Sequence, residues 1–185
     1  GTKECEEAIH RSLTWMKQRQ NEDGSWEDNH KVAMTGLALL SYLGHGDIPG
    51  VEGDFDKTVS KAIEYLLSVS QKNEGLLTSD PKDNGMVYEH AIATYALSEA
   101  YILGLTQDHE IPGLPEAITA AATRILKGQA ENGTWGYRLT NGGDLSIIAW
   151  CMQALKAVSH TGLPVEGLGE SSRKGMLAVI NHQVE

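Results

Sequence analysis

Gln20-Asn21-Glu22-Asp23-Gly24-Ser25-Trp26 recurs as Gln129-Ala130-Glu131-Asn132-Gly133-Thr134-Trp135, and a degraded copy lies between them as Gln71-Lys72-Asn73-Glu74-Gly75-Leu76-Leu77. In each copy the Gln lies four residues before the Gly, and Leu77 stands where the other two carry Trp. A fourth Gln, Gln183, closes another apolar helical pattern. The Gln positions are 51, 58 and 54 residues apart. A period of that length marks stacked supersecondary units. It predicts one domain of repeats at about 4–54, 55–113 and 114–168 with a partial fourth at 169–185, forming a segment of a longer array.

Each unit reads as two helices. Gln-ended helices are predicted over about 4–20, 58–71, 115–129 and 171–183, with apolar residues such as Ala8, Ile9, Leu13 and Met16 at helical spacing. After each glycine loop comes a more apolar helix, over about 29–43, 89–103 and 144–158. These align without gaps over 33–44, 93–104 and 148–159, placing the small residues Gly36, Ala96 and Cys151 at one position. Helices apolar on more than one face form an inner layer, with the Gln-ended helices outside. Ile48-Pro49-Gly50, Ile111-Pro112-Gly113 and Leu163-Pro164 recur before the next outer helix, where Pro stops a helix and stiffens the connection.

The motif has a structural chemistry of its own. Gly permits the left-handed backbone that ends a helix. Trp offers a large apolar face and one N–H donor, suited to the junction of two repeats. Gln both donates and accepts, so it is expected to bridge the ends of neighbouring helices. Outer helix, Gly-x-Trp loop and inner helix in repetition predict an all-α fold: a partial α/α toroid of about three and a half hairpins.

Composition narrows the partners. Acidic residues number 25 against 15 basic ones, a formal charge of −10, and no basic run exceeds Arg173-Lys174. A nucleic-acid backbone or an anionic membrane surface is therefore not the expected partner. No apolar run approaches the roughly 18 residues of a membrane span. No signal-peptide pattern is visible, and the compartment is not fixed by the sequence. Cys5 and Cys151 form no spacing motif and are expected as two free, buried thiols. Glu22-Asp23 and Glu27-Asp28 lack the spacing of an EF-hand loop.

The Gln-x(2–5)-Gly-x-Trp pattern after an apolar helix, over about residues 4 to 183, resembles the prenyltransferase/squalene-oxidase repeat of squalene–hopene cyclases, other terpenoid cyclases and protein prenyltransferase β subunits. Met86 to Thr94, Glu99-Ala100-Tyr101 and Gly142-Gly143-Asp144-Leu145-Ser146 look like a bacterial branch of unsettled activity. The resemblance implies two chemistries. The cyclases protonate an alkene or epoxide from an Asp-x-Asp-Asp run, which falls here on Asn141-Gly142-Gly143-Asp144. Gly143 stands at the proton donor's position and has no proton to give. The prenyltransferases hold zinc through Asp-x-Cys and a His. Here Asp144-Leu145-Ser146 lacks the thiolate, Cys151 lies on another helix face, and His90 would be the His. Zinc requires three protein ligands even when catalytic, so no cofactor and no metal is predicted. The complement-type thioester run Cys-Gly-Glu-Gln is absent.

Counting back equally from the aligned inner helices gives a ladder of Asn29, Glu89 and Asp144, followed one residue on by His30, His90 and Leu145. One reading makes the first rung N-caps with favourable helix-dipole charge. The other converges His30, Tyr88, Glu89, His90 and Asp144 on one mouth of the cavity, with Tyr95 and Trp150 deeper in its wall. The catalytic candidates are then His90, Asp144, Tyr88 and Glu89, and the ligand-binding candidates His30, Tyr95 and Trp150. The expected function is a binding or interaction module without an intact catalytic acid. Its partner would be a protein, a second copy at the open end of the array near Gln183, or an apolar small molecule. The alternative is an enzyme of squalene-cyclase or prenyltransferase type, completed by repeats outside this segment. A glycan-active toroid using the same rim is a third reading.

Overall fold

The computed structural model describes residues 1–139 and 143–182, and among them every regular element is a helix. They are α1 (Lys3–Lys17), α2 (Lys31–His45), α3 (Asp56–Lys72), α4 (Met86–Leu105), α5 (Leu114–Lys127), α6 (Leu145–Thr161) and α7 (Leu168–His182). The most extensive packing joins α2 to α4 and α4 to α6, which makes these three the inner layer. The others lie outside and each present one apolar face. In α3 that face is Val59, Ala62, Ile63 and Leu66; in α5 it is Ile118, Ala121, Ala122 and Ile125. α4 is buried nearly all round, from Met86 to Gly104, because it lies between both inner neighbours. No described helix is long and apolar enough to cross a membrane.

The inner helices approach closely at small residues, as expected. A Cβ on Gly36 would meet Ile92 Cγ2 at 3.0 Å and the Ala93 backbone at 3.3 Å. Ala96 and Cys151 are fully buried. Cys5, by contrast, is exposed on the first turn of α1, so only one of the two free thiols is buried.

The repeated motif forms a joint between units. Gly24, Gly75 and Gly133 take φ of 89°, 87° and 87°, a left-handed backbone that a side chain resists. Each presses its Cα side against the next outer helix. A Cβ on Gly24 would lie 2.2 Å from the Lys61 carbonyl oxygen, on Gly75 2.7 Å from Ala120 Cβ, and on Gly133 2.5 Å from the Lys174 carbonyl oxygen. The Gln amide fastens the joint. Gln20 Nε2 donates to Gly24 O (3.0 Å) and Thr58 O (2.9 Å), and Gln129 Nε2 to Gly133 O (3.0 Å) and Ser171 O (2.9 Å). The acceptors on the next helix are carbonyls inside its first turns rather than orphan helix ends. Both tryptophans are buried, and their indole N–H groups donate back to the preceding outer helix, Trp26 to Met16 O and Trp135 to Ile125 O, each at 2.8 Å.

The middle copy departs from this pattern. Gln129 lies nine residues after Ala120, but Gln71 lies ten after Lys61. One residue is about 100° of helix rotation. α3 continues through Gln71 and leaves its side chain exposed. Gln183 lies outside the described residues.

Two helix starts also differ from expectation. The N-cap of α2 is His30 rather than Asn29; it is left-handed at φ 50° and makes no side-chain cap. Ser79 substitutes for the cap, its Oγ accepting from Val32 N at 3.2 Å. α4 begins at Met86, so Glu89 lies within its first turn and is not its cap. Asp144 is the N-cap of α6, accepting from Ser146 N and Ile147 N.

Gly24→Ala and Gly133→Ala are each expected to destabilise by at least about 2 kcal/mol in urea denaturation, from left-handed strain plus collision with a backbone carbonyl. Gly44→Ala, where nothing lies within 4 Å of the added methyl, is expected to be neutral or stabilising.

Candidate functional site

The starts of α2, α4 and α6 bring the candidate residues into two groups, one on each side of α4. On the α2 side, Glu89 is 2% exposed. Its Oε2 accepts from Thr78 Oγ1 at 2.8 Å and from Ser79 N at 2.5 Å, which ties the 78–80 loop to α4. Its Oε1 is buried without a hydrogen bond and faces His30 Nδ1 at 3.5 Å. His30 is exposed, and Asp83 Oδ1 lies 3.9 Å from the same nitrogen. The left-handed backbone at His30 holds the imidazole over the buried carboxylate. The Tyr65 phenol, beside Ser79, is pushed up to about 12 by burial and by the nearby Asp23 and Glu89 charges.

On the α6 side the Tyr88 hydroxyl and Ser146 Oγ are 2.5 Å apart, and Ser146 Oγ donates to Asp144 Oδ1 at 2.5 Å. With the serine proton directed at the carboxylate, the tyrosine donates to the serine. Tyr137 completes the group, its ring edge-on to Tyr88 at 6.1 Å between centroids. Donors converging from the Ser146 hydroxyl and the backbone N–H groups of Ile147 and Ser146 hold the Asp144 carboxyl below its ordinary value. The Tyr137 phenol, close to that carboxylate and to Tyr88, is raised to about 12. Tyr137 and Leu145 are about half exposed, so this group opens to solvent beside an apolar surface.

His90 joins neither group. It is fully buried, and its Nδ1 accepts from Leu77 N at 3.0 Å while Nε2 faces Ala121 O at 3.1 Å. An acceptor role at Nδ1 places the proton on Nε2, which donates to the carbonyl. The imidazole therefore links the second loop to the next outer helix, as the Gln20 and Gln129 amides do at their joints. Sequence alignment pairs His90 with His30. By function it corresponds to Thr35, whose Oγ1 accepts the N–H of Trp26 as His90 accepts that of Leu77. Burial pulls the His90 pKa down to about 4, with Arg124 adding to the shift. Tyr95 and Trp150 are half-buried and pack against the cluster of Val87, Ile147 and Cys151.

The residues present do not fit the zinc site of the resembled prenyltransferases. Neither nitrogen of His90 has a lone pair to offer, and the buried Cys151 thiol is pushed up to about 12. His30, Asp83 and Glu89 approach one another, but among the described residues no three such side chains converge as metal ligands. At the cyclase acid position Gly143 is exposed; Asn141 and Gly142 lie outside the described residues.

Sequence reasoning named His30, Tyr88, Glu89 and Asp144, which lie in these two groups, but did not name their neighbours Asp83, Thr78, Ser79 and Tyr137. The signal for the first three was the length of the loop after Gly75, which exceeds that after Gly24 and carries a run of hydroxyls and acids. No known protein family, characterised protein or solved structure matches this chain.

The His90 bridge predicts a pH dependence. The folded chain resists a proton that the unfolded chain binds near pH 6.5, so stability from neutral His90 is complete above that pH and is lost as pH falls toward about 4. The loss is on the order of 3 kcal/mol. Urea midpoints from pH 7.5 to 4 are expected to show it. His90→Gln should be less stable at pH 7 and flatter over the same range; a slope unchanged by the substitution would assign the loss to other groups.

Proposed function

We propose that the chain is a binding or interaction module built from an α/α-toroid array of the terpenoid-cyclase and prenyltransferase-repeat kind. The support for the array is the joint itself, with Gln, a left-handed Gly and Trp recurring in the same bonds at Gly24 and Gly133. The recognition surface is the rim on the α6 side, where Tyr88, Tyr137, Ser146 and Asp144 offer hydroxyls and one carboxylate beside exposed Leu145.

The observation that carries this reading is the engagement of the titratable groups. His90 is locked between a loop and α5, and Glu89 anchors the 78–80 loop. Asp144 is held charged by converging donors, the opposite of the protonated acid that alkene protonation requires. What remains at the rim suits hydrogen bonding and aromatic contact with a polar partner group, with apolar surface beside it.

The test is native mass spectrometry of the purified chain, alone and with squalene, farnesyl diphosphate and a panel of oligosaccharides, together with product analysis. Binding without turnover is expected. Tyr137→Ala and Asp144→Asn are each expected to weaken it at least tenfold without lowering Tm, since Asn also caps a helix. A cyclised or prenyl-transferred product that disappears in Asp144→Asn would replace this reading with an enzyme of squalene-cyclase or prenyltransferase type. Binding indifferent to both substitutions would move the site off this rim.

A further inference from the structure

The three internal joints define what one outer helix offers to the unit before it. The preceding glycine loop abuts Lys61 on α3, Ala120 on α5 and Lys174 on α7. Three residues earlier lie Thr58 and Ser171, whose carbonyls receive the Gln amide. On α5, Arg124 adds a hydrogen bond to the Glu74 carbonyl, one residue ahead of the docked Gly75, at 2.9 Å. The socket is thus a short stretch of one helix face, made of carbonyls and small side chains.

The same stretch exists on α1. The indole bonds of Trp26 to Met16 O and Trp135 to Ile125 O set α1 in register with α5. Ala120 lies five residues before Ile125, and Arg11 lies five before Met16. Arg11 is therefore the docking position, Ala8 the Gln acceptor and Trp15 the counterpart of Arg124. Ala8, Arg11, Ser12, Trp15 and Met16 line an open groove of about 560 Å³ on this face. Trp15 is 55% exposed with the Arg19 guanidinium 3.8 Å from its ring, and Ile9 is 44% exposed where its register counterpart Ile118 is fully buried. Beyond its helical bond the Ala8 carbonyl accepts only from Ser12 Oγ, a hydroxyl whose rotation frees that second lone pair for an incoming amide.

We infer that the α1 face is the acceptor half of a fourth joint, and that its occupant is a further hairpin of the same repeat, bearing Gln-x3-Gly-x-Trp. The bonds it would make are those already present at Thr58 and Ser171. A second folded copy of this chain does not supply the occupant, because its three glycine loops are already seated on α3, α5 and α7. The inference is independent of the rim described above, since α1 contributes nothing to that surface.

The test is a chain lengthened by one unit: residues 114–167 placed ahead of residue 5, so that the appended Gly133 falls over Arg11 and the appended Gln129 over Ala8. Hydrogen exchange of residues 8–16 is read against the unmodified chain. Protection is expected to rise at least tenfold. It is expected to return to the original level when the appended unit carries Gly133→Val with Gln129→Ala, or when the acceptor carries Ala8→Arg. The inference is overturned if protection of 8–16 does not rise, if the disabled unit protects equally, or if circular dichroism shows that the appended helices do not form. A failure here leaves the ligand assays with Tyr137→Ala and Asp144→Asn unaffected, so the two readings stand or fall separately.

Discussion

The structure depends on a glycine that can take a left-handed backbone and lie flat against a neighbouring helix. At Gly24 and Gly133 the space for a Cβ is already filled by a carbonyl oxygen of the next outer helix. That contact fixes the separation of successive units, and the Gln amide and indole N–H then have acceptors within reach. The inner layer follows from it. Once outer helices are spaced, α2, α4 and α6 must lie side by side, and small residues at Gly36, Ala96 and Cys151 allow the approach. Local chain geometry thus sets tertiary spacing, and tertiary spacing brings three helix starts together.

Those helix starts serve two demands at once. Each carries unpaired N–H groups that need acceptors. Asp144 meets this need at α6 from within its own chain segment, whereas α2 borrows Ser79 from the following loop. Glu89 holds that loop in place, and His30 covers the remaining carboxylate oxygen. The polar groups on the α2 side are therefore mostly engaged in holding the fold. Those on the α6 side keep an exposed hydroxyl and aromatic surface, which is why we propose the recognition surface there.

Much of the fold was legible because its signals are local. Gly with Trp two residues on, proline before each outer helix and the contrast between one-faced and many-faced apolar helices all act within a few residues. The cap at Asp144 was legible for the same reason. The middle unit was not. Its single-residue phase change turns Gln71 outward, an effect invisible to a motif match that preserves Gln, spacing and Gly. The gap-free alignment of inner helices paired His30 with His90, yet the longer loop and earlier start of α4 give His90 the task of Thr35. A histidine that replaces a glutamine as a fastener leaves no trace in the Gln-Gly-Trp match itself. The exposed position of Cys5 was missed because the neighbour that would cover a first helix cannot be read from the helix itself.

Unequal joints have a consequence for how the array yields. In a linear stack, cooperativity is carried by the coupling between adjacent units, and a weak coupling becomes a boundary between separately opening segments. The joints at Gly24 and Gly133 combine amide, indole and backbone contact, whereas the one at Gly75 relies on an imidazole and Arg124 beside a groove of about 360 Å³ between α3 and α5. Under tension or partial denaturation the outer layer would part at that seam, while the continuous packing of α4 with both inner neighbours keeps the halves attached. The chain then behaves as two stiff pieces joined by a compliant fold, bending about its centre without coming apart.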